Sequence, residues 1–142
     1  MAEAVLDDVR ARVDALRAIG ITPGLGTILV GDDGASAGYV RKKHETCAEV
    51  GMVSQNISVS ADSPPEALDE AVAEFNADPA VHAYIIQHPV AEGFDFNAAL
   101  AAMDPAKDAD GLHPTNLGKL VLQEEGPVPC TPAGIQAMFV HY

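Results

Sequence analysis

The chain has 142 residues, of which 48% are apolar, and a formal net charge of −13. Its length predicts one domain with a substantial core, and its charge, without any basic stripe, argues against nucleic acid or an anionic membrane as a partner. No apolar run reaches the roughly 20 residues that cross a bilayer. The N-terminus lacks the layout of a signal peptide, and two cysteines without paired spacing predict a reduced, cytoplasmic protein.

Helices and strands alternate along the sequence. Helical spacing of apolar residues predicts a first helix over 3–19, ended by Gly20, and a central helix between Gly31 and Gly51. Three strands are predicted, over 26–30, 52–59 and 80–87. Three further helices are predicted: one capped by Ser63 and begun by Pro64 and Pro65, one over 94–103, and a last one capped by Thr131 with Pro132 at its first position. Between the last two helices we predict a polar loop over 104–120 and a short strand or hairpin over 121–129. This order predicts an α/β domain of three layers, with a mostly parallel sheet of three to four strands flanked by helices.

The central helix carries a lysine on its apolar side. Val40, Cys47 and Val50 define an apolar stripe. Three other residues fall within the same stripe, namely Ser36, Tyr39 and Lys43, whereas Arg41, Lys42, Glu45 and Glu49 fall on the opposite side. Lysine is seldom buried without a partner, which makes Lys43 a candidate for chemistry. A lysine at the edge of a stripe also often keeps its ammonium in water, so the helix alone leaves both interpretations open.

Two strand ends predict where a ligand would bind. The first strand leads into the helix with Lys43, and the third ends at Gln87, so both should meet at the carboxyl edge of the sheet. Gln87 can accept a hydrogen bond from an ammonium or donate its amide N–H to a neutral amine. Asp108, Asp110 and His113 follow in a loop, where solvated acids and turn caps are the alternative interpretation.

Two other kinds of site are not supported. The sequence contains neither the GxGxxG turn nor the P-loop that binds phosphates. His44 and Cys47 lie one helical turn apart, but no second ligand pair accompanies them, and we therefore predict no metal site.

Four segments, YVRKK, IIQHP, DADGLHPTNLG and CTPAG, occur in an order that resembles the methylenetetrahydrofolate dehydrogenase/methenyltetrahydrofolate cyclohydrolase family. The resemblance runs from TPGL to the end of the chain and is to the N-terminal folate-binding catalytic domain, here 1–142. It implies oxidation of 5,10-methylenetetrahydrofolate with NADP (NAD in some members), followed by hydrolysis to 10-formyltetrahydrofolate.

The resemblance also implies roles for individual residues. Lys43 would be the general acid/base of the ring opening, and Gln87 would contact and tune it. Tyr39 would stack on the folate and Asp110 would hold the pterin, so that these four form the catalytic group. Ser36, Pro89 and Gly134 would join Tyr39 and Asp110 in binding the substrate.

The chain departs from this family at three places. His88-Pro89-Val90-Ala91 replaces the usual Leu-Pro-Leu-Pro, much of the usual first strand is missing, and the NAD(P)-binding domain would follow residue 142. The family implies a homodimer for the longer protein, while this chain alone could be a monomer. Two alternatives remain: a non-catalytic folate-binding relative, and a phospho-receiver domain, for which Asp32 and Asp33 fit but Gln87 at the end of the third strand does not.

Overall fold

Residues 2–141 are described by a computed structural model, in which three parallel strands form one sheet in the order β2-β1-β3. The strands are β1 (Gly24–Val30), β2 (Val53–Val59) and β3 (Ala83–Gln87). Within the same residues, six α-helices accompany them: α1 (Ala2–Ala18), α2 (Gly34–Glu49), α3 (Glu66–Ala77), α4 (Phe96–Ala102), α5 (Pro114–Leu122) and α6 (Cys130–His141), with a 3-10 turn at Pro105–Lys107. The predicted α/β architecture with a parallel sheet is confirmed.

Strand β1 is central because it pairs with both β2 and β3, and all but one of its residues are buried. Its alternating side chains therefore point toward two different layers. Ile28 and Val30 join the main core, in which Leu68, Val72 and Phe75 of α3 are buried. On the other face, the Thr27 side chain bonds to a side chain of α2. That second face carries the candidate site.

Helix α1 begins and ends close to the prediction. Gly20 follows it with φ +86°, and the N–H groups of Gly20 and Ile21 donate to the carbonyls of Arg17 and Leu16, which satisfies the end of the helix. Its apolar residues are less buried than their spacing suggested. Val13 is buried, whereas Val5 is exposed. Periodicity shows which side of a helix is apolar, but another element must cover that side to bury it.

Three predicted element starts are wrong. Helix α3 begins with no side-chain hydrogen bond at its cap, so Ser63 does not cap it; the backbone carbonyl of Pro64 accepts from Ala67 instead. Strand β3 begins at Ala83 rather than at residue 80. Helix α6 begins at Cys130, which places Thr131 inside the first turn.

The segment over 104–129 contains a helix that the sequence did not predict. Helix α5 runs from Pro114 to Leu122, with the His113 side chain accepting from the N–H of Thr115 at its start. No strand or hairpin forms over 121–129. Proline at the first helical position was the available signal. Gly118, which weakens a helix by about 1 kcal/mol relative to alanine, favoured the loop prediction.

Across residues 2–141 the helices are too short or too polar to cross a membrane.

Candidate functional site

The side chains of Lys43 and Gln87 meet, although they are 44 residues apart in the chain. Lys43 Nζ donates to Gln87 Oε1 over 3.0 Å. Helix α2 supplies the lysine from above the sheet, and β3 ends at the glutamine. The two parallel strands end at the same edge, which is why the prediction that these residues converge follows from topology alone.

The orientation of Gln87 differs from the one expected for tuning a neutral amine. Its Nε2 donates to the backbone carbonyl of His88 over 2.9 Å, which leaves Oε1 facing Lys43. Gln87 therefore accepts from Lys43 and does not donate to it. The consequence is geometric: one N–H of Lys43 is directed toward Gln87, and the remaining positions on Nζ face the space beside α2.

Tyr39 lies one helical turn before Lys43, and the two side chains meet. Lys43 Nζ is 5.9 Å from the centroid of the Tyr39 ring, within the range of a cation–π contact. Tyr39 does not lie inside the buried stripe, however, because it is 66% exposed, whereas Val40, Cys47 and Val50 are buried. The ring therefore presents a face to which a flat ligand has access.

A cavity of about 340 Å³ opens beneath Tyr39 and Lys43. Its floor is apolar, formed by Leu25 of β1 and Ile85 of β3, and Cys47 lies on its α2 side. Burial raises the pKa of the Cys47 thiol, which keeps it protonated at neutral pH. Lys42 also lines this cavity, but only the Lys43 amine is bonded to Gln87. An aromatic ring above, an apolar floor and amines at the rim suit a planar, mostly apolar ligand with a polar reacting atom.

Asp110 lies on a loop that a buried carboxylate organises. Asp108 is buried, and its Oδ2 accepts from the backbone N–H of His113 over 2.8 Å and from Asn116 Nδ2 over 2.9 Å. Gly111, with φ +68°, follows Asp110, which is partly exposed. The alternative interpretation of turn-forming acids therefore fits Asp108, whereas the carboxylate of Asp110 interacts with the Cys130 thiol.

Asp110 borders a second cavity of about 250 Å³ together with Pro129 and Cys130. Burial raises the pKa of the Cys130 thiol; Asp110 and Asp108 raise it further, and Lys43 acts in the opposite direction. Lys43 and Asp110 thus both act electrostatically on the same thiol.

Ser36 is buried at the start of α2. Its backbone N–H donates to Asp33 Oδ2 over 2.7 Å, and Asp33 caps the helix. That N–H, followed by the Ser36 hydroxyl, holds the pKa of the Asp33 carboxyl below its ordinary value. A dinucleotide's phosphates would bind at such a helix N-terminus, but here Asp32 and Asp33 put negative charge there. The turn does not fit a dinucleotide phosphate.

Two predicted substrate-binding residues lie apart from the cavity beneath Tyr39. Pro89 lines a different cavity of about 270 Å³, together with Asp33 and Ala91. Gly134 lies in α6 and is exposed, with open space where a Cβ would project. Their role in substrate binding remains a prediction.

His44 is the residue that sequence reasoning misjudged. Its spacing from Cys47 suggests only a metal ligand. Within residues 2–141, no group of three or more His, Cys, Asp or Glu side chains is arranged to hold a metal. His44 instead bonds to Thr27 and Ser54 on the sheet. Its position one turn after Val40 on the buried stripe was the signal that could have identified it.

Comparison with known proteins gives consistent matches. Residues 1–110 match the family described as tetrahydrofolate dehydrogenase/cyclohydrolase, catalytic domain. All 142 residues align at 61% identity with the bifunctional protein FolD of Syntrophotalea carbinolica, covering 49% of that protein.

Solved structures match over nearly the whole chain. The bifunctional enzyme FolD, a methylenetetrahydrofolate dehydrogenase/cyclohydrolase from Campylobacter jejuni, aligns with a TM-score of 0.94 and 31% identity over 99% of this chain and 50% of that one. The Trypanosoma brucei FolD, complexed with NADP and an inhibitor, aligns with a TM-score of 0.90 and 35% identity. That alignment covers 96% of this chain and 48% of that one. The chain thus spans about half the length of the relatives that it matches.

Proposed function

The chain belongs to the tetrahydrofolate dehydrogenase/cyclohydrolase family, and from this premise we propose that residues 1–142 form its folate-binding catalytic domain and carry the site of methenyltetrahydrofolate hydrolysis. The observation that carries the proposal is the Lys43–Gln87 hydrogen bond of 3.0 Å at the rim of a cavity with an apolar floor. For the longer protein we propose the bifunctional activity, in which 5,10-methylenetetrahydrofolate is oxidised and the methenyl product is hydrolysed to 10-formyltetrahydrofolate.

Binding rests on three features of the site. The exposed ring of Tyr39 offers a stacking surface, and Leu25 and Ile85 offer an apolar floor. Asp110, a carboxylate, is suited to accept from the amino and ring N–H groups of a pterin. Both ends of an elongated ligand would then be recognised by different chemistry, with Lys43 between them.

The hydrolysis requires proton transfers to and from one-carbon intermediates. Water adds to the methenyl carbon and loses one proton; the hydroxyl so formed then loses the other proton as its oxygen becomes the formyl carbonyl and the carbon–nitrogen bond breaks. The departing nitrogen takes up one proton, and one proton is released to solvent overall. Lys43 Nζ would accept the proton of the attacking water and deliver one to the departing nitrogen. Gln87 Oε1 would fix the direction of the amine, so that its remaining positions face the reacting carbon.

The oxidation step would use NADP, which supplies a hydride acceptor when bound. Asp32 and Asp33 make the α2 N-terminus unfavourable for its phosphates, so we propose that an NAD(P)-binding domain beyond residue 142 of a longer protein holds it. We therefore expect purified 1–142 not to reduce a nicotinamide. Measurable reduction by this chain would contradict that expectation. A homodimer for the longer protein and a cytoplasmic location complete the proposal.

The proposal is tested by an absorbance assay of methenyltetrahydrofolate hydrolysis on Lys43→Met and Lys42→Met. Lys42 is the matched control: it borders the same cavity, but its side chain is 72% exposed and its Nζ lies 3.9 Å from Glu45 Oε2 rather than against Gln87. We expect Lys43→Met to abolish hydrolysis while binding folate, and Lys42→Met to be nearly silent. Equal loss in both variants would refute the assignment of Lys43.

The alternative of a non-catalytic folate-binding relative is separated by the same assay. Hydrolysis absent from the unmodified chain, with folate binding retained in calorimetry, would favour it. Asp110→Ala should weaken folate binding by about 1–3 kcal/mol in either case, because it leaves buried donors of the ligand unpaired. Unchanged affinity would return Asp110 to a role in the turn.

A further inference from the structure

Part of the contact between α2 and the sheet is polar. His44 Nε2 lies 2.9 Å from Thr27 Oγ1, and His44 Nδ1 lies 2.6 Å from Ser54 Oγ. Thr27 Oγ1 in turn donates to Asn56 Oδ1 over 2.8 Å, and Asn56 Nδ2 donates to Ser58 Oγ over 2.8 Å. We call these five side chains the His44 network. It joins α2 to both β1 and β2.

The donors and acceptors of the His44 network are mutually consistent. Asn56 Nδ2 donates to Ser58, so its Oδ1 is left to accept the hydroxyl proton of Thr27. Thr27 has no second proton, and its oxygen therefore accepts from His44 Nε2–H. In the neutral ring Nδ1 then accepts from the hydroxyl of Ser54. Each ring nitrogen of His44 thus bonds to a different strand.

These bonds are directional, whereas the apolar contacts of α2 are not. Val40, Cys47 and Val50 are buried, but apolar packing is non-directional and tolerates small shifts of a helix. Thr27 is 1% exposed, so a helix that moved would remove the ring N–H that its buried oxygen accepts and leave it only its bonds within the sheet. The His44 network therefore defines both the rotation and the axial position of α2.

We propose that His44 is a positioning residue for Lys43: its two ring nitrogens fix α2 on β1 and β2 in the one register at which Lys43 reaches Gln87 on β3. A shift of α2 by one residue would move Lys43 by about 1.5 Å along the helix axis. Such a shift is large compared with the 3.0 Å between Lys43 Nζ and Gln87 Oε1. The catalytic part of this inference rests on the proposed function; the positional part does not.

The test compares three variants of the 142-residue chain. His44→Gln keeps a polar atom near the position of Nε2 and so retains the bond to Thr27, whereas His44→Asn keeps one near Nδ1 and retains the bond to Ser54. Val50→Ala is the control, because it loosens the same helix without removing a directional bond. Ser54→Ala, which removes a single bond, serves if a His44 variant does not fold.

We expect each His44 variant to lower kcat for methenyltetrahydrofolate hydrolysis by about 10- to 100-fold, as a displacement near 1 Å does, with KM changed less than about threefold. Val50→Ala, at equal or greater loss of stability, should retain kcat. A purely structural histidine would lower stability and leave kcat unchanged. That outcome, or an equal fall in kcat for Val50→Ala, would overturn the proposal.

A second measurement separates this inference from the proposed function. The NMR signals of the Gln87 side-chain amide and the Lys43 ε-methylene report the contact directly, without substrate. We expect both signals to shift in the His44 variants and to keep their positions in Val50→Ala. If the unmodified chain has no hydrolytic activity, the proposed function fails, but these signals still test the positioning role of His44. Unshifted signals in both His44 variants would refute that positioning role.

Discussion

Replacement of Asn116 by alanine should be among the most destabilising changes on the loop that carries Asp110. Asn116 is 1% exposed, and its Nδ2 donates both to Asp108 Oδ2 and to the carbonyl of Pro105, each over 2.9 Å. Alanine removes both bonds. The carboxylate of Asp108 then keeps only the N–H of His113, and its other oxygen, Oδ1, already lacks a hydrogen-bond partner within residues 2–141.

The magnitude follows from these contacts. A hydrogen bond to a charged group contributes about 1.5–3 kcal/mol, and one to a neutral carbonyl about 0.5–1.5 kcal/mol. Alanine is the better helix former by up to about 0.7 kcal/mol, which offsets part of the loss in α5. We expect the free energy of unfolding to fall by about 2–4 kcal/mol, a large share of the roughly 5–15 kcal/mol typical of a domain.

Urea unfolding followed by circular dichroism measures this change. Thr115→Ala is the matched control, since Thr115 is the exposed neighbour on the same helical turn, and its stability should stay within about 0.5 kcal/mol of the unmodified chain. A double-mutant cycle with Asp108→Asn should give a coupling energy above about 1 kcal/mol. If Asn116→Ala loses less than about 1 kcal/mol, the reasoning from the buried carboxylate is wrong.

Three further predictions concern packing and titration. Gly26→Ala should destabilise the chain by about 1–3 kcal/mol in urea unfolding, because its Cβ would lie 2.8 Å from Phe75 Cε2, while Gly34→Ala, with open space around it, should not. Asp33→Ala should lower stability at neutral pH, and this difference should vanish in acid. The pKa of Asp33 is lower in the folded chain than the value near 3.8 of the unfolded chain. Its carboxylate therefore stabilises the fold fully above pH 3.8, and this stabilisation is lost as pH falls through the lower folded-state pKa. Alkylation of Cys130, followed by mass spectrometry, should show a midpoint above the ordinary thiol pKa; a midpoint below it would contradict the effects of burial and nearby carboxylates.

The sequence predicted those features that depend on local periodicity or on topology. The burial of Val40, Cys47 and Val50 follows from the helical repeat, and the meeting of Lys43 with Gln87 follows from the common edge at which parallel strands end.

Features that depend on distant packing could not be predicted in this way. Tyr39 is exposed because no element within residues 2–141 covers the edge of the stripe on which it lies, and a helical repeat contains no information about that. Whether Gln87 donates or accepts depends on the carbonyl of His88. Helix α5 was missed because Gly118 and Asn116 have low helix propensity, whereas the buried bonds of Asn116 stabilise the helix through tertiary contacts.

The offset of α2 over the sheet explains how one helix produces both the cavity and its reactive group. Through His44 the helix is bonded to β1 and β2, not to β3. Ile85, on the α2-facing side of β3, is therefore left as the floor of an open cavity. The Lys43 side chain crosses from α2 to the end of β3, where Gln87 accepts its hydrogen bond. A helix centred on the sheet would fill the cavity with its own apolar stripe, so the polar contacts that hold α2 to one side are a condition for the site to exist.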